Sequence, residues 1–318
     1  MQSGLNQGKP AWPALPYAAW QDTYATLHLW TQIVGKIRLT QTPWINHSWQ
    51  VTLYVSPRGL TTSAIPYGQR IFELEFDFLE HRLGLSTDDG ARKDIGLFPR
   101  SVANFYAAVM QALAELGLEV AIDERPNEVA EAIPFSEDRT HASYDPEYAQ
   151  RFFRVLLQIN RVFWMFRSGF IGKCSPVHFF WGSFDVAVTR FSGRRAPLHP
   201  GGVPNLSDAV TQEAYSHEVS SAGFWPGNPG AKYPAFYSYA YPTPPGFAET
   251  LIRPAEAFFH PTLKEFVLPY DAVRTADDPD RALLDFLTTT YEAAASTGNW
   301  DRAALECALG VPGVPRKL

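Results

Sequence analysis

The sequence predicts an α+β protein of two similar α-β-β-β-α halves, in which largely antiparallel sheets are flanked by helices. Long helical patterns precede and follow runs of short strand patterns. The strands are joined by segments too short for the helical crossovers that parallel strands need. The 318 residues, 46% of them hydrophobic, are enough for one large domain or two ordinary ones.

The first half is predicted to span residues 13–122. Its opening helix covers residues 17–38, because Trp20, Tyr24 and Leu27 recur at helical spacing and Pro43 blocks continuation of the helix. The patterns that follow predict strands at 49–55, 70–78, 81–86 and 94–98, a helix at 101–116 and a closing strand at 118–122.

Residues 123–145 are acidic, carry two prolines and lack sustained periodicity, so they are predicted to form a linker or a lid that includes His141 and Tyr144. The second half, residues 146–306, is predicted to carry the functional site. Its first helix begins after an aspartate N-cap and a proline in the first turn. The predicted elements are a helix at 146–168, strands at 177–190, 213–224, 235–241 and 265–269, and a helix at 279–295.

The order of landmarks indicates an internal duplication. In each half an aromatic helix is followed by Gly-Lys, then proline, histidine, tryptophan and a strand. The spacing from lysine to proline differs between the halves, and chance resemblance is the alternative. The landmarks are Gly35, Lys36, Pro43, His47 and Trp49 in the first half and Gly172, Lys173, Pro176, His178 and Trp181 in the second.

Composition excludes some classes of partner. The net charge of −6 is spread along the chain without a basic stripe, so we expect no nucleic-acid partner. No apolar run approaches the length of a membrane span, and the first 20 residues lack the apolar core of a signal peptide. The only cysteines, Cys174 and Cys307, match no disulfide or zinc spacing. We therefore expect a cytoplasmic protein without a membrane partner.

Residues 170–242 contain the predicted site, because ionisable side chains lie there among dense aromatic residues. Aromatic residues at this density are normally buried, and buried polar groups must be paired or used. The candidate catalytic residues, as acid–base groups or metal ligands, are His178, His217, Glu218 and Asp185.

A metal centre is one hypothesis. His178, His217 and Glu218 offer two imidazoles and a carboxylate, a set that suits iron, zinc or manganese. Strand alternation predicts that His178 and Arg190 share one face while Asp185 lies on the other. His217 and Glu218 point to opposite faces, so both can bind one metal only across a bulge, and Asp185 is the alternative carboxylate. Otherwise each histidine is a buried hydrogen-bonding residue.

Recognition of a polar ligand without a metal is a second hypothesis. Arg190 would hold an anionic group through its planar guanidinium. Tyr237 and Tyr239 alternate along a strand and should line one sheet face, while Trp181 is either a pocket wall or a core residue. Nucleophilic catalysis by Cys174 is a third hypothesis, although an isolated cysteine is usually a small buried apolar residue.

The blocks GKCSPVHFFWGSFDVAVTRFSGR, AYSHEVSSAGFWPG and AFYSYAYP resemble signature blocks of a bacterial family known only as a domain of unknown function. WPALPYAAW, ATLHLWTQIVGKIR and LPYDAVR resemble further blocks of it, so the resemblance covers residues 12–306. It implies a single family unit from a bacterium and implies no activity.

The leading functional hypothesis is an enzyme that acts on a small organic molecule with an anionic or aromatic part. The alternatives are a binding protein without turnover and a structural protein with a buried polar network. The sequence leaves the substrate, the metal and the oligomeric state open.

Overall fold

In a computed structural model that describes residues 10–316, helices flank two six-stranded antiparallel sheets, which confirms the predicted α+β class. The helices are α1 (Tyr17–Gln41), α2 (Val102–Glu115), α3 (Pro146–Ser168), α4 (Asp208–Ala214), α5 (Tyr270–Arg274), α6 (Pro279–Thr297) and α7 (Arg302–Leu305), with a 3-10 helix at Asn46–Val51. None of the helices in this described range is long and apolar enough to cross a membrane.

The first sheet contains strands from the N-terminal half, in the order β1-β2-β4-β5-β6, with β3 also paired to β4. Along β4, buried Phe72, Leu74 and Phe76 alternate with more exposed residues, as expected of a strand with one face on a core. The strands are β1 (Tyr54–Val55), β2 (Gly59–Thr61), β3 (Ile65–Tyr67), β4 (Arg70–Asp77), β5 (Arg82–Thr87) and β6 (Arg92–Gly96).

The second sheet contains strands from the C-terminal half, in the order β11-β12-β10-β9-β8-β7. Its longest strand, β8, pairs with β7 on one side and with β9 on the other. The strands are β7 (His178–Phe180), β8 (Asp185–Arg195), β9 (His217–Trp225), β10 (Ala235–Tyr241), β11 (Phe258–His260) and β12 (Glu265–Pro269).

The prediction of one continuous strand at 177–190 is wrong. Residues 181–184 turn the chain between β7 and β8, and Phe184 adopts a left-handed conformation with φ 57°. His178 pairs with Ala187 across the resulting hairpin, so His178 shares a sheet face with Ala187 and Asp185. Arg190 is three residues from Ala187 along β8 and therefore lies on the opposite face. The predicted shared face of His178 and Arg190 is wrong because alternation can be counted only within an unbroken strand.

One hydrophobic core includes residues from both halves of the chain, from Trp12 to Trp300. Helix α1 is buried along most of its length, and its Trp30 stacks on Phe105 of α2 with ring centroids 4.5 Å apart. Leu53 and Phe179 exchange two backbone hydrogen bonds of 2.9 Å, which join the two sheets at one point. The boundaries proposed from the sequence, 122/123 and 145/146, stay a prediction.

The internal duplication is not confirmed. The two sheets follow different strand orders, and His47 lies in a 3-10 helix whereas His178 lies in a strand. The predicted closing strand at 118–122 is absent from the described structure, where residues 118–145 form neither helix nor strand. The predicted strand at 213–224 begins only at His217, because α4 occupies the preceding residues.

Candidate functional site

A cavity of about 600 Å³ lies on one face of the second sheet. The sheet forms its floor. Its roof consists of the 3-10 helix, residues 127–128 and the segment 203–215, which contains α4. The floor residues come from five strands and are Phe180, Asp185, Ala187, Thr189, Phe191, Val219, Ser221, Trp225, Tyr237, Tyr239 and Glu265.

Strand register explains why these residues share the floor. Directly paired residues of antiparallel strands project to the same side of a sheet. Thr189 pairs with Ser221, and Ser221 pairs with Tyr239. The hydroxyl oxygens of Thr189 and Ser221 lie 2.9 Å apart, within hydrogen-bonding distance. The alternating tyrosines predicted from the sequence therefore do line one face, and Tyr237 and Tyr239 both reach the cavity.

The roof is held by hydrogen bonds between segments distant in sequence. His47 Nδ1 lies 3.0 Å from the carbonyl oxygen of Ala214, at the end of α4. Lys173 Nζ lies 2.5 Å from His47 Nε2, so this nitrogen accepts from the ammonium while Nδ1 donates to the carbonyl. His47 and the adjacent Ser48 both have left-handed backbone conformations, with φ 61° and 59°. Such strained residues cluster at functional sites.

Residues 127–129 are tied to the segment 203–215. The backbone N–H of Glu128 donates to the carbonyl oxygen of Pro204 at 2.8 Å. The side-chain amide of Asn205 donates to the carbonyl of Val129 at 2.7 Å. Glu128 is also left-handed, with φ 61°, and its carboxyl rests against Gly182, where a Cβ would lie 2.1 Å from the carboxyl oxygen. These contacts direct the Glu128 side chain into the cavity.

Asp185 is the most buried acidic residue of the cavity. Its carboxylate accepts hydrogen bonds from the hydroxyls of Tyr237 and Ser183. Burial raises the pKa of Asp185, and the two hydroxyl donors act in the opposite direction. Tyr237 stacks on Trp225 with ring centroids 4.8 Å apart. It also lies over Gly223, where a Cβ would be 2.3 Å from the tyrosine hydroxyl oxygen, so only glycine leaves room for this ring.

Two glutamates line the cavity together with Asp185, and we call Asp185, Glu128 and Glu265 the carboxyl cluster. Burial, followed by the charge of Asp185, raises the pKa of both Glu128 and Glu265 to about 7. Both glutamates line the cavity, Glu128 as an exposed residue and Glu265 as a half-buried one. Because their pKa values are about 7, both glutamates change charge near neutral pH.

No arginine or lysine lines the cavity within residues 10–316. The hydroxyls of Tyr215 and Tyr239, which both line the cavity, lie 2.7 Å apart. Burial raises the pKa of Tyr215 to about 12 and that of Tyr239 well above its usual value of 10, so both phenols stay protonated. The cavity thus combines aromatic walls with an acidic, hydroxyl-rich floor.

Trp181, predicted as a pocket wall or a core residue, is buried and also lines the cavity. Its indole lines the cavity, and its Nε1 donates to the carbonyl oxygen of Val51 at 2.7 Å. The ring packs against Gly35 of α1, where a Cβ would lie 2.2 Å from the indole. The tryptophan therefore fixes the roof relative to the N-terminal helix.

His178 does not line the cavity. Its ring is 1% exposed and is enclosed by the rings of Trp49, Tyr54 and Phe180, with centroids 5.5 to 5.7 Å away. Neither ring nitrogen has a hydrogen-bond partner among the described residues. Burial, with smaller contributions from Arg38 and Arg167, lowers the pKa of His178 to about 3, so the ring is neutral.

The prediction that His178 and His217 converge on one hollow is wrong. His217 lies six residues along β9 from Gly223, which pairs with Ala187 opposite His178. Ring contacts lead from His178 to Trp49, with centroids 5.5 Å apart, and from Trp49 to His47, with centroids 5.2 Å apart. Neither His178 nor His217 lines the cavity. The ring of His217 instead lies beside that of His47, with centroids 6.0 Å apart.

The structure does not bring the predicted metal ligands together either. Glu218 forms an ion pair with Arg194 at 2.6 Å and accepts a hydrogen bond from Ser192 at 2.9 Å. In the part of the chain that the structure describes, no three histidine, cysteine or acidic side chains are placed to hold a metal ion. The set His178, His217 and Glu218 is therefore not a coordination site in this fold.

Arg190 lies on the face opposite the cavity, contrary to the prediction that it holds an anionic ligand. Its guanidinium packs 3.6 Å from the ring centroid of Phe166 and 4.3 Å from that of Tyr291, and it donates to the carbonyl of Phe166. Burial lowers the pKa of Arg190 to about 10. The residue therefore joins the sheet to α3 and α6, where cation–π contacts stabilise it.

The other predicted residues also lie elsewhere. Burial raises the pKa of the half-buried Cys174 thiol, which is the opposite of what a nucleophilic cysteine needs. In the proposed lid, His141 hydrogen-bonds Asp138 at 2.7 Å and Tyr144 hydrogen-bonds His81 at 2.8 Å, and neither lid residue lines the cavity.

Sequence reasoning missed Glu128, Glu265 and Tyr215. Glu265 opens a predicted strand, and Tyr215 belongs to the AYSHEVSSAGFWPG block. Glu128 lies in the acidic segment 123–145, which the sequence predicts to be a linker or a lid. The local sequence pattern places each of these residues in a strand, a sequence block or an acidic segment. No local pattern indicates that the three residues line one cavity.

Comparison with known families supplies one match. The sequence model described as "Family of unknown function (DUF5996)" matches residues 12–307. No curated protein and no solved structure matches the chain.

Proposed function

We propose that this chain, which belongs to the DUF5996 family of unknown function, binds a small organic molecule in the cavity and acts on it by acid–base chemistry. The observation that carries the proposal is the carboxyl cluster inside an aromatic cavity of about 600 Å³. Small-molecule sites typically have this size, apolar walls and a few polar groups. Titratable groups with shifted pKa values are typical of catalytic sites.

The carboxyl groups differ in a way that suits an acid and a base. Burial raises the pKa of Asp185 as it does for the two glutamates, but Asp185 also accepts two hydroxyl hydrogen bonds, which act in the opposite direction and favour its ionised form. Glu128 and Glu265 have pKa values of about 7 and can carry a proton at neutral pH. Two carboxyl environments that differ in this way supply a proton acceptor and a proton donor. Asp185 takes the first role in the proposal, and the glutamates take the second.

The experiment has two steps. A library of small molecules is screened by thermal shift, and each hit is incubated with the protein and analysed for products by mass spectrometry. The proposal predicts hits whose shift disappears in Ala187→Trp, which fills the floor of the cavity. Glu249→Gln, an exposed substitution away from the cavity, serves as the control. A library without hits, or hits that bind Ala187→Trp equally well, would reject the proposal.

Binding without turnover is the second candidate. It is favoured by hydrogen bonds within the cavity wall: the hydroxyl of Tyr237 donates to the carboxylate of Asp185, and the hydroxyls of Tyr215 and Tyr239 pair with each other. A carboxylate so occupied is a poorer base. Product analysis separates the two candidates: hits that bind in the cavity and remain chemically unchanged over prolonged incubation support a binding protein.

We also propose that the protein works in the cytoplasm. The two free cysteines, Cys174 and Cys307, support this location because a reducing compartment keeps thiols unpaired. Fractionation of cells that produce the tagged chain tests the location. Recovery outside the cytoplasmic fraction would reject it.

A further inference from the structure

The charge of the cavity restricts what can bind there. The carboxyl cluster contributes three acidic groups, and the described residues that line the cavity include no lysine or arginine. His47 is the imidazole of the lining, and burial lowers its pKa, so it is neutral at pH 7. Lys173 contacts the lining residue His47 at 2.5 Å but is not itself part of the lining, so an anionic ligand would meet three carboxyl groups without a cation in the cavity wall to compensate.

The aromatic walls favour the same kind of ligand. Trp225 and Tyr237 stack with an interplanar angle of 12°, and Tyr237 in turn lies parallel to Tyr239. Trp49 and Trp181 line the opposite side. Aromatic faces attract cations through the ring quadrupole, most strongly where water is excluded. The carboxyl cluster and these aromatic side chains line one cavity, so both can contribute to holding a positive charge.

Unpartnered polar atoms in the cavity provide an independent sign of a ligand. Thr211 of α4 is 5% exposed and lines the cavity, yet its hydroxyl has no hydrogen-bond partner in the described structure. The indole Nε1 of Trp225, on the floor, also lacks a partner. Buried polar atoms are normally satisfied, so an unpaired hydroxyl facing a cavity indicates that a bound group completes its hydrogen bond. The hydroxyl of Thr211 can accept from an ammonium N–H.

We infer that the ligand of this cavity is an organic cation, with an ammonium group held by the carboxyl cluster and an apolar part held by the tryptophans. This inference rests on the proposed function, because it requires that the cavity be a small-molecule site. A neutral polyol is the main competitor, since aromatic faces, hydroxyls and carboxylates also suit sugars. The two classes differ in charge, and a charge-matched comparison separates them.

The test uses probes that share a skeleton and differ in charge. Phenylethyl, indolylethyl and n-hexyl skeletons are each measured as amine, alcohol and carboxylate by isothermal titration calorimetry at pH 8, with glucose as a polyol probe. The inference predicts that the amine binds at least tenfold more tightly than the alcohol of its set. The carboxylate should bind most weakly. Asp185→Asn should remove most of the preference for the amine, while Glu249→Gln should keep it.

A pH series adds a second readout. The amine probes stay protonated from pH 6 to pH 8, whereas the two glutamates ionise in this range. The ionised fraction of a carboxyl group with a pKa of about 7 rises by about tenfold from pH 6 to pH 8. Amine affinity should therefore rise by about tenfold or more between these pH values. Alcohol affinity should change little. If Asp185→Asn fails to fold, Glu265→Gln supplies the variant for both measurements.

The outcomes distinguish this inference from the proposed function. Alcohols, glucose or carboxylates that bind as tightly as amines in the cavity overturn the organic-cation inference and leave the small-molecule site in place. If no probe of any set binds and the library screen is also empty, both fail together. An amine preference that persists unchanged in Asp185→Asn and Glu265→Gln also overturns the inference, because the charge is then held elsewhere.

Discussion

Replacing Glu265 by glutamine should make the protein more stable, and the gain should grow as the pH rises. Glu265 is half-buried at the start of β12, and burial followed by the charge of Asp185 raises its pKa from 4.5 to about 7. A raised carboxyl pKa means that the folded state opposes ionisation. The wild-type protein therefore loses stability as the pH rises from the unfolded pKa through the folded one. Glutamine cannot ionise and avoids this loss.

The magnitude follows from the two pKa values. With 4.5 for the unfolded chain and about 7 for the folded chain, the linkage relation gives a change of about 2.5 kcal/mol between pH 5 and pH 8. Solvent around a half-buried group reduces this value, so the free energy of unfolding of the variant, relative to wild type, should increase by about 1 to 2.5 kcal/mol across this range.

Urea denaturation followed by tryptophan fluorescence at pH 5, 6, 7 and 8 measures the effect. The slope of the free energy against urea must stay constant, so that only stability changes. Glu249→Gln, at an exposed site outside the cavity, should show no such trend. A difference that is flat or that falls with pH would refute the reasoning. The gain should shrink in an Asp185→Asn background, because the charge of Asp185 contributes to the raised pKa.

Three other substitutions test the packing around the site by urea denaturation. Gly223→Ala should destabilise the fold by about 2–3 kcal/mol, because its Cβ would overlap the ring of Tyr237, and wild-type stability would contradict that close approach. His178→Phe should raise stability by about 1 kcal/mol, since it removes two buried unpaired ring nitrogens, and a loss above about 2 kcal/mol would show that those nitrogens are satisfied. Arg190→Leu should lower stability by about 2–4 kcal/mol, because the guanidinium packs on Phe166, while ligand affinity stays unchanged. A loss of ligand affinity in Arg190→Leu without a matching loss of stability would show that Arg190 contributes to ligand binding.

The sequence by itself determined the fold class and the regular elements with strong periodicity. The predicted strands at 235–241 and 265–269 match β10 and β12 at both ends, and α3 begins at the residue that its aspartate N-cap predicted. These features depend on neighbours within a few residues, such as an N-cap, a proline or an alternating pattern. The shared face of Tyr237 and Tyr239 follows from the same local alternation.

Only the tertiary structure decided which side chains meet. The turn at 181–184 separates β7 from β8, so Arg190 faces the helices while Asp185 faces the cavity, and no count along the sequence shows this. Glu128 and Glu265 are far apart in sequence, yet each lies within electrostatic reach of Asp185. Charges interact through space, so a site made of such groups exists only after the chain has brought its distant segments together.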